Sequence, residues 1–133
     1  MKNFISSGKR KRAVARAVIK PGSGIVKVNS RLLEFYTPHI AKLKLEEPLI
    51  IASEHSKKFD IRVKVSGGGI ISQADAARLA IAKALVGITK DKKLEKSYLE
   101  YDRHLLVADV RRREVRKPNT HGKARAKRQK SYR

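Results

Sequence analysis

The sequence contains no cysteine and no tryptophan, and only 5% of its residues are aromatic. Without cysteine the chain has neither a disulfide framework nor a thiolate metal site. No apolar run approaches the ~18 residues of a transmembrane helix. Residues 1–7 are too few and too polar for a signal peptide. These absences indicate a cytoplasmic protein with no membrane partner.

Acidic residues are also scarce, with 12 Asp and Glu against 33 Lys and Arg. Residues 9–20 contain six basic residues and no acid, while residues 111–133 contain eleven basic residues and one acid, Glu114. Residues 21–109 hold 15 basic and 11 acidic residues, a balance typical of an ordinary folded domain. The two flanks therefore carry most of the positive field that attracts nucleic acid.

The C-terminal flank, residues 111–133, is predicted not to fold alone. Its apolar residues are Val115 and a few alanines, so it has little surface to bury, and its charges repel one another. A solubility tail is the alternative, although acidic residues confer solubility more readily than basic ones. The 133 residues have room for one domain. We assign residues 1–110 to a globular domain and residues 111–133 to an extended basic tail that a polyanion orders.

The basic residues of the two flanks are the candidate contacts to nucleic acid. Residues 9–12 also resemble a nuclear localisation signal. They are followed directly by an apolar segment, however, which favours the start of a strand whose charges contact phosphate. Arg16 shares a strand face with Val14 and Val18 and is expected to reach past the sheet edge. The candidate set is Lys9, Arg10, Lys11, Arg12, Arg16, Arg111, Arg112, Arg113, Arg116, Lys117, Lys123, Arg125, Lys127 and Arg128.

Several segments have the composition of strands. Residues 13–19 and 25–28 are β-branched runs, and the turn residues 21–24 between them predict a hairpin. Strict alternation of apolar and polar residues over 59–65 predicts a half-buried strand. Residues 105–110 are a further strand candidate.

Helical patterns lie between these strands. Residues 32–45 are helical in pattern with a break at Pro38, and the sequence leaves open whether 32–52 forms one bent helix or two. A second helix is predicted over 91–101. The order of strands and helices along the chain predicts a compact α+β fold.

Three glycines, residues 67–69, precede the strongest helical pattern. Ser72 stands three residues before Asp75, a spacing typical of a helix N-terminal cap. The glycines favour a tight turn with close helix packing, and contact between their amides and an RNA phosphate is the alternative. A nucleotide cofactor is disfavoured because neither a P-loop nor a dinucleotide motif is present. The apolar stripe of the helix consists of Ala77, Ile81, Ala84, Leu85 and Ile88.

The sequence gives little support for an enzyme. Its four histidines are scattered, and none pairs with another at the i, i+4 spacing of a helical metal site. Glu100 and Asp102 lie near Arg103, a mixture typical of surface ion pairs. We therefore expect no catalytic residue, no metal and no cofactor.

A DNA-compacting or chromatin-type protein is the alternative function. Basic tails suit such a protein, but the domain lacks a recognisable DNA-recognition helix and the tail is rich in arginine. A membrane-surface role is disfavoured because the tail has no apolar face to insert.

Three segments resemble a known family. The triple glycine with Gln73 four residues after it, followed by small residues over 76–85, resembles the signature of the small-subunit ribosomal protein nine family. Residues 8–16 resemble the opening strand of that family, and residues 122–133 resemble its terminus. The final Ser-Tyr-Arg is similar to the archaeal and eukaryotic branch.

The resemblance implies a non-catalytic component of the head of the small ribosomal subunit. The implied fold is a two-layer α+β sandwich, a small sheet with helices on one face and a left-handed strand-helix-strand crossover, with a long basic tail. The implied partners are small-subunit rRNA, the anticodon stem-loop of P-site tRNA and neighbouring ribosomal proteins. The implied tRNA-proximal residues are Lys130, Ser131, Tyr132 and Arg133, and the structural motif is Gly67, Gly68, Gly69, Ser72 and Gln73.

Overall fold

The computed structural model of the chain describes residues 3–127, 129, 131 and 133. The strands of this part of the chain are β1 (Phe4–Arg10), β2 (Ala13–Pro21), β3 (Val26–Val28), β4 (Arg31–Leu32) and β5 (Phe59–Ser66). Its α-helices are α1 (His39–Ile51), α2 (Ser53–Ser56), α3 (Ile70–Thr89) and α4 (Lys92–Tyr101), and short 3-10 turns lie at Leu33–Phe35 and Arg103–Leu105.

The five strands form one sheet in the order β1-β2-β5-β3-β4. β2 pairs antiparallel with both β1 and β5, β3 pairs parallel with β5, and β3 pairs antiparallel with β4. The prediction of a hairpin between residues 13–19 and 25–28 is therefore wrong, because β5 lies between β2 and β3. Asp60 explains the path of the connection: its carboxylate accepts hydrogen bonds from the backbone N–H groups of Ser23 and Ile25, which ties the connection to β5.

The hairpins of the sheet lie elsewhere. β1 and β2 are joined by the two residues Lys11 and Arg12, and β3 and β4 by Asn29 and Ser30. Asn29 and Ser30 have φ angles of 47° and 70°, as two-residue hairpin loops require. Sequence patterning did not identify β1, because its centre is Ser-Ser-Gly rather than a β-branched run.

Within residues 32–52, Leu32 ends β4, and the short 3-10 turn is followed by one main helix, α1, which continues through Pro48. The carbonyl of Pro48 accepts the hydroxyl hydrogen of Tyr98 at 2.7 Å, which joins α1 to α4. Burial raises the pKa of the Tyr98 hydroxyl well above its ordinary value, so this donor stays protonated.

The strand predicted over residues 105–110 is absent from the described structure. The carboxylate of Asp102 accepts a hydrogen bond from the backbone N–H of His104 at 2.9 Å and caps the 3-10 turn. Asp102 also pairs with Arg78 of α3 at 2.9 Å. A local cap thus replaces strand pairing in this segment.

Helix α3 begins at Ile70 with Gly69 as its N-cap, so the assignment of Ser72 as the cap is wrong. The backbone N–H of Gln73 already donates to the carbonyl of Gly69, which places Ser72 inside the first turn. The predicted apolar stripe is confirmed: Ala77, Ile81, Ala84 and Leu85 are buried and Ile88 is half-buried.

One face of the sheet contacts the helices. Ala13, Ala15, Ala17 and Ile19 of β2 are fully buried against them, whereas the alternate residues of β2 lie on the other face. The α+β architecture with helices on one face of a small sheet is thereby confirmed. Beyond Leu105 none of the described residues is buried. The division into residues 1–110 and 111–133 and the handedness of the crossover stay predictions.

Helix α3 lies very close to β1. A Cβ added at Gly8 would be 2.2 Å from the carbonyl oxygen of Ala76 and 2.9 Å from the backbone nitrogen of Ala80. The hydroxyl of Ser6 donates to the carbonyl of Ala80 at 2.5 Å. Glycine and alanine on the facing surfaces therefore set the spacing between helix and sheet.

Gly8→Ala is expected to lower the free energy of unfolding by about 1–3 kcal/mol, because the new methyl group overlaps the backbone of α3. Urea unfolding followed by circular dichroism measures the change. Gly69→Ala is the control: a Cβ at Gly69 meets nothing within 4 Å, and the lower preference for Ala at the N-cap is offset by the smaller entropy of the unfolded chain, so its stability should stay within about 0.5 kcal/mol of the wild type. Equal stabilities of the two variants would contradict the packing argument.

Candidate nucleic-acid interface

The turn between β1 and β2 lies directly against the glycine turn that precedes α3. Gly67 and Gly68 have φ angles of 76° and 66°, which glycine adopts without strain. A Cβ at Gly67 would be 2.6 Å from the carbonyl oxygen of Arg12, and one at Gly68 would be 3.0 Å from the backbone nitrogen of Ala13. The glycines therefore allow two backbone turns, distant in sequence, to pack together.

Gln73 closes the glycine turn, since its side-chain amide donates to the carbonyl of Gly67 at 3.1 Å. The N-terminus of α3 has no side-chain cap and no acidic residue in its first turn. Its first N–H groups and the positive end of its dipole are thus available to an anion.

Asp109 connects the tail to β1. Its carboxylate lies 3.2 Å from the guanidinium of Arg10 and 2.8 Å from that of Arg111. Hydrogen bonds from the side chain and backbone of Arg111, together with the charge of Arg10, hold the pKa of Asp109 well below its ordinary range. Asp109 therefore stays ionised at neutral pH and fixes both arginines.

These contacts form a cleft of about 920 Å³, which we call the basic cleft. Seven of its lining residues are Lys or Arg, and they come from the β1–β2 turn and from the start of the tail. Its lining residues are Arg10, Lys11, Arg12, Gly68, Gly69, Ser72, Arg111, Arg112, Arg113, Glu114, Val115 and Arg116. Three motifs that are far apart in the sequence thus meet at one site.

The other sequence-predicted residues lie outside the basic cleft. Arg16 is exposed at the middle of the sheet, because β2 is an interior strand, so the expectation that it reaches past a sheet edge is wrong. Gly8 and Arg10 lie on the side of β1 that faces the helices, so Lys9 between them projects from the opposite face of the sheet, as Arg16 does. The remaining described members of the predicted set are exposed residues of the tail: Lys117, Lys123, Arg125, Lys127, Ser131 and Arg133. Arg128, Lys130 and Tyr132 lie outside the described residues.

The described part of the tail has only local contacts. Glu114 pairs with Arg125 at 2.5 Å, and this guanidinium lowers the pKa of the Glu114 carboxyl. The backbone N–H of Lys117 donates to the carbonyl of Lys123 at 3.2 Å. The acid that lines the basic cleft is therefore already paired with Arg125, which lies outside the cleft, so Glu114 does not neutralise the cations of the cleft.

Sequence reasoning did not identify Asp109 as a functional residue. The sequence signal for Asp109 is weak, because a single carboxylate before a run of arginines resembles the acidic residues that are common at helix ends and on protein surfaces. It also did not identify the basic residues of β3 and β5, namely Lys27, Arg62 and Lys64. The alternation of these cations with apolar residues is visible in the sequence, but the residues that they face on neighbouring strands are not.

Among residues 3–127, 129, 131 and 133, no group of His, Asp or Glu side chains is arranged to hold a metal ion. In the same part of the chain, no helix is both long enough and apolar enough to cross a membrane. The described site thus consists mainly of cations and backbone amides, together with the hydroxyl of Ser72 and the carboxylate of Glu114.

Asp109→Asn is expected to destabilise the fold at neutral pH by an amount that decreases on acidification. The pKa of Asp109 is lower in the folded chain than its ordinary value of about 4, so its stabilisation is fully present above that value and is lost as pH falls through the folded pKa. Urea titrations of both proteins at constant ionic strength, between about pH 7 and about pH 2.5, measure the difference. A difference that stays constant below about pH 4 would contradict this role.

The chain is similar to known proteins over nearly its whole length, including the residues of the basic cleft. The family described as "Ribosomal protein S9/S16" matches residues 8–133. A protein of Methanococcus maripaludis strain C7, named small ribosomal subunit protein uS9, is 48% identical over 134 aligned positions that cover 100% of both chains. The protein of the same name from Thermoplasma acidophilum is 51% identical over 130 positions, covering 98% of this chain and 100% of the relative.

These matches include the basic turn, the glycine motif and the tail, and they confirm the resemblance found in the sequence. They do not favour the DNA-compacting alternative. The chain therefore belongs to the ribosomal protein S9/S16 family, in its archaeal type, and is a structural, non-enzymatic component of the small subunit of the cytoplasmic ribosome, whose partners are ribosomal RNA and other ribosomal proteins.

Proposed function

We propose that the basic cleft binds the phosphodiester backbone of small-subunit rRNA and that the tail extends from the cleft toward the anticodon stem-loop of P-site tRNA. The observation that carries the proposal is that seven cations lie beside the N-terminus of α3, which has no side-chain cap. A polyanion is the ligand that satisfies such a site, because it neutralises many cations at once.

The arginines of the cleft suit phosphate in particular. A guanidinium presents a planar fork of donors that binds two phosphate oxygens together. Asp109 holds Arg10 and Arg111 before RNA arrives, so less side-chain entropy is lost on binding. The first N–H groups of α3 add a neutral phosphate contact of the kind found at other helix N-termini.

Specificity has a different origin. Contacts to phosphate fix position and carry no sequence information, and the cleft has no aromatic lining residue on which a base stacks. The rigid arrangement of the two packed turns therefore selects RNA by the shape of its backbone rather than by its bases.

The tail completes the proposal. Residues 117–133 follow the cleft and, if fully extended, span about 55–60 Å at about 3.3–3.6 Å per residue. Their charges repel one another in the free protein, and phosphates along an RNA groove remove that repulsion. Lys130, Ser131, Tyr132 and Arg133 then form the tRNA-proximal end, with the guanidinium of Arg133 offsetting the terminal carboxylate.

Binding of the purified protein to small-subunit rRNA is expected to depend steeply on salt. If roughly ten cations of the two flanks contact phosphate, they contribute a slope of about −7 to −9 to the plot of log affinity against log salt concentration. Filter binding over a salt series measures the slope. A slope shallower than about −3, or equal affinity for duplex DNA at physiological salt, would contradict the proposal.

A charge-matched pair of variants tests the cleft within that assay. Replacing Arg112, Arg113 and Arg116 with Gln removes three cleft cations, whereas replacing Lys92, Lys93 and Lys96 with Gln removes three exposed cations of α4. The cleft variant should have a slope shallower by about 1 per lost contact. The α4 variant should retain the wild-type slope.

Deleting the last four residues is expected to separate assembly from tRNA binding. The basic cleft is intact in this variant, so it should still enter the small subunit, while tRNA in the P site should dissociate faster. Quantitative mass spectrometry of purified subunits measures incorporation, and tRNA release from programmed ribosomes measures retention. Loss of incorporation with unchanged tRNA release would contradict this division of roles.

A further inference from the structure

The face of the sheet opposite the helices carries a second group of basic residues, which we call the open face. It is formed by the outward side chains of β1, β2, β3 and β5, which alternate with the buried ones. The cations of the open face are Lys9, Arg16, Lys20, Lys27, Arg62 and Lys64. Only Lys9 and Arg16 belong to the set that the sequence singled out.

The register of the sheet places like charges directly opposite one another. Arg16 pairs across the β2–β5 ladder with Lys64, and Lys27 pairs across the β3–β5 ladder with Arg62. Like charges at such positions destabilise a sheet. The two pairs are also adjacent, because Arg62 and Lys64 lie two residues apart on β5, about 6.6 Å along the strand.

These four cations have no carboxylate partner within the described residues. Asp60 is the acid of the open face, and its oxygen accepts backbone hydrogen bonds from Ser23 and Ile25 at the end of β5. The repulsion between the two pairs is therefore uncompensated in the free chain. A bound anion that spans both pairs would remove it.

A shallow concavity of about 700 Å³ lies beside the first pair. Arg16, Lys64, Ser30 and Ser66 are among its lining residues. The side chain of Asn29 holds one wall in place, because it donates to the carbonyl of Val65 and accepts from the N–H of the same residue. Cations with adjacent serine hydroxyls form the donor set that binds phosphate and ribose oxygens.

The composition of the open face distinguishes RNA from a protein partner. Protein interfaces have an apolar or aromatic centre and are depleted in lysine. The outward residues of these strands include no aromatic side chain. Their apolar members are Ile5, which is 67% exposed, and the half-buried Val14 and Val18 of β2. The six cations of the open face outnumber these apolar residues, and a surface of Arg, Lys and Ser without an aromatic anchor fits a phosphodiester backbone.

We propose that the open face is a second RNA-backbone surface, continuous with the basic cleft through the β1–β2 hairpin. The inference rests on the proposed function, because it assigns a further surface to the same ligand class. Lys9 on the open face and Arg10 in the cleft are consecutive residues of β1 that point to opposite faces of the sheet, so RNA that passes around the tip of the β1–β2 hairpin would contact both surfaces. The absence of aromatic side chains makes this contact independent of base identity.

The test replaces Arg16, Arg62 and Lys64 with Gln and measures binding to in vitro transcribed small-subunit rRNA over a salt series. The salt slope should become shallower by about 2–3, since three phosphate contacts are lost. The melting temperature should not fall, because the substitutions remove like-charge pairs. The variant with Lys92, Lys93 and Lys96 replaced by Gln is the charge-matched control and should retain the wild-type slope.

The outcomes separate the two proposals. If the wild type has the steep slope and the open-face variant has the same slope, the open face is not an RNA surface and the proposed function stands. If the wild type itself prefers duplex DNA or shows no steep slope, the proposed function fails. An open-face variant that binds RNA like the wild type but is lost from assembled subunits would assign the face to a protein neighbour and overturn the inference.

A second measurement covers a variant that fails to fold. Ultraviolet crosslinking of the wild-type protein to the same rRNA, followed by peptide mass spectrometry, should give crosslinked peptides that contain Arg62 or Lys64. Crosslinks confined to the turn at Lys11 and to the tail would overturn the inference without any substitution.

Discussion

The close packing of α3 against β1 and β2 is the constraint on which the other features of this protein depend. Gly8 permits it, because any side chain there overlaps the backbone of the helix. With the helix so near the sheet, the glycine turn that precedes it rests on the backbone of Arg12 and Ala13. The N-terminus of α3 and the basic β1–β2 hairpin thereby become neighbours, and Asp109 adds the start of the tail to them.

Positive charge is balanced inside the domain and in excess at two surfaces, as suits a component of a ribonucleoprotein. Inside the domain, cations are paired: Arg78 with Asp102, and Lys44 with Asp75. At the basic cleft and on the open face the cations outnumber the acids, which costs stability in the free chain. In the proposed complex, RNA supplies the missing negative charge, so that RNA binding would stabilise the folded protein. Such a design needs positions for charge rather than reactive groups, which agrees with the non-enzymatic nature of the family.

Local sequence patterns predicted those elements whose stability is local. The alternation at β5, the apolar stripe of α3 and the helix over 91–101 were predicted from local patterns, and the structure confirms them, with Asp91 as the N-cap of α4. The hairpin predicted over 13–28 was wrong because β5, some thirty residues later, occupies the place beside β2. Ser72 had the spacing of a cap, but the preceding glycines start the helix earlier. In the hairpin, a partner distant in sequence replaced the local one.

The chemistry of the protein was evident from its amino acids: no cysteine chemistry, an excess of cations at both flanks, a glycine turn before a small-residue helix, and the family resemblance that the relatives confirm. Charge and periodicity are properties of the amino-acid sequence and can be recognised without the three-dimensional structure. Three further features emerge from the fold: the three motifs meet in one cleft, Asp109 orients two of its arginines, and Arg16 and Lys64 face each other on the open face. Strand order and register are set by packing between distant segments, so no local pattern contains them.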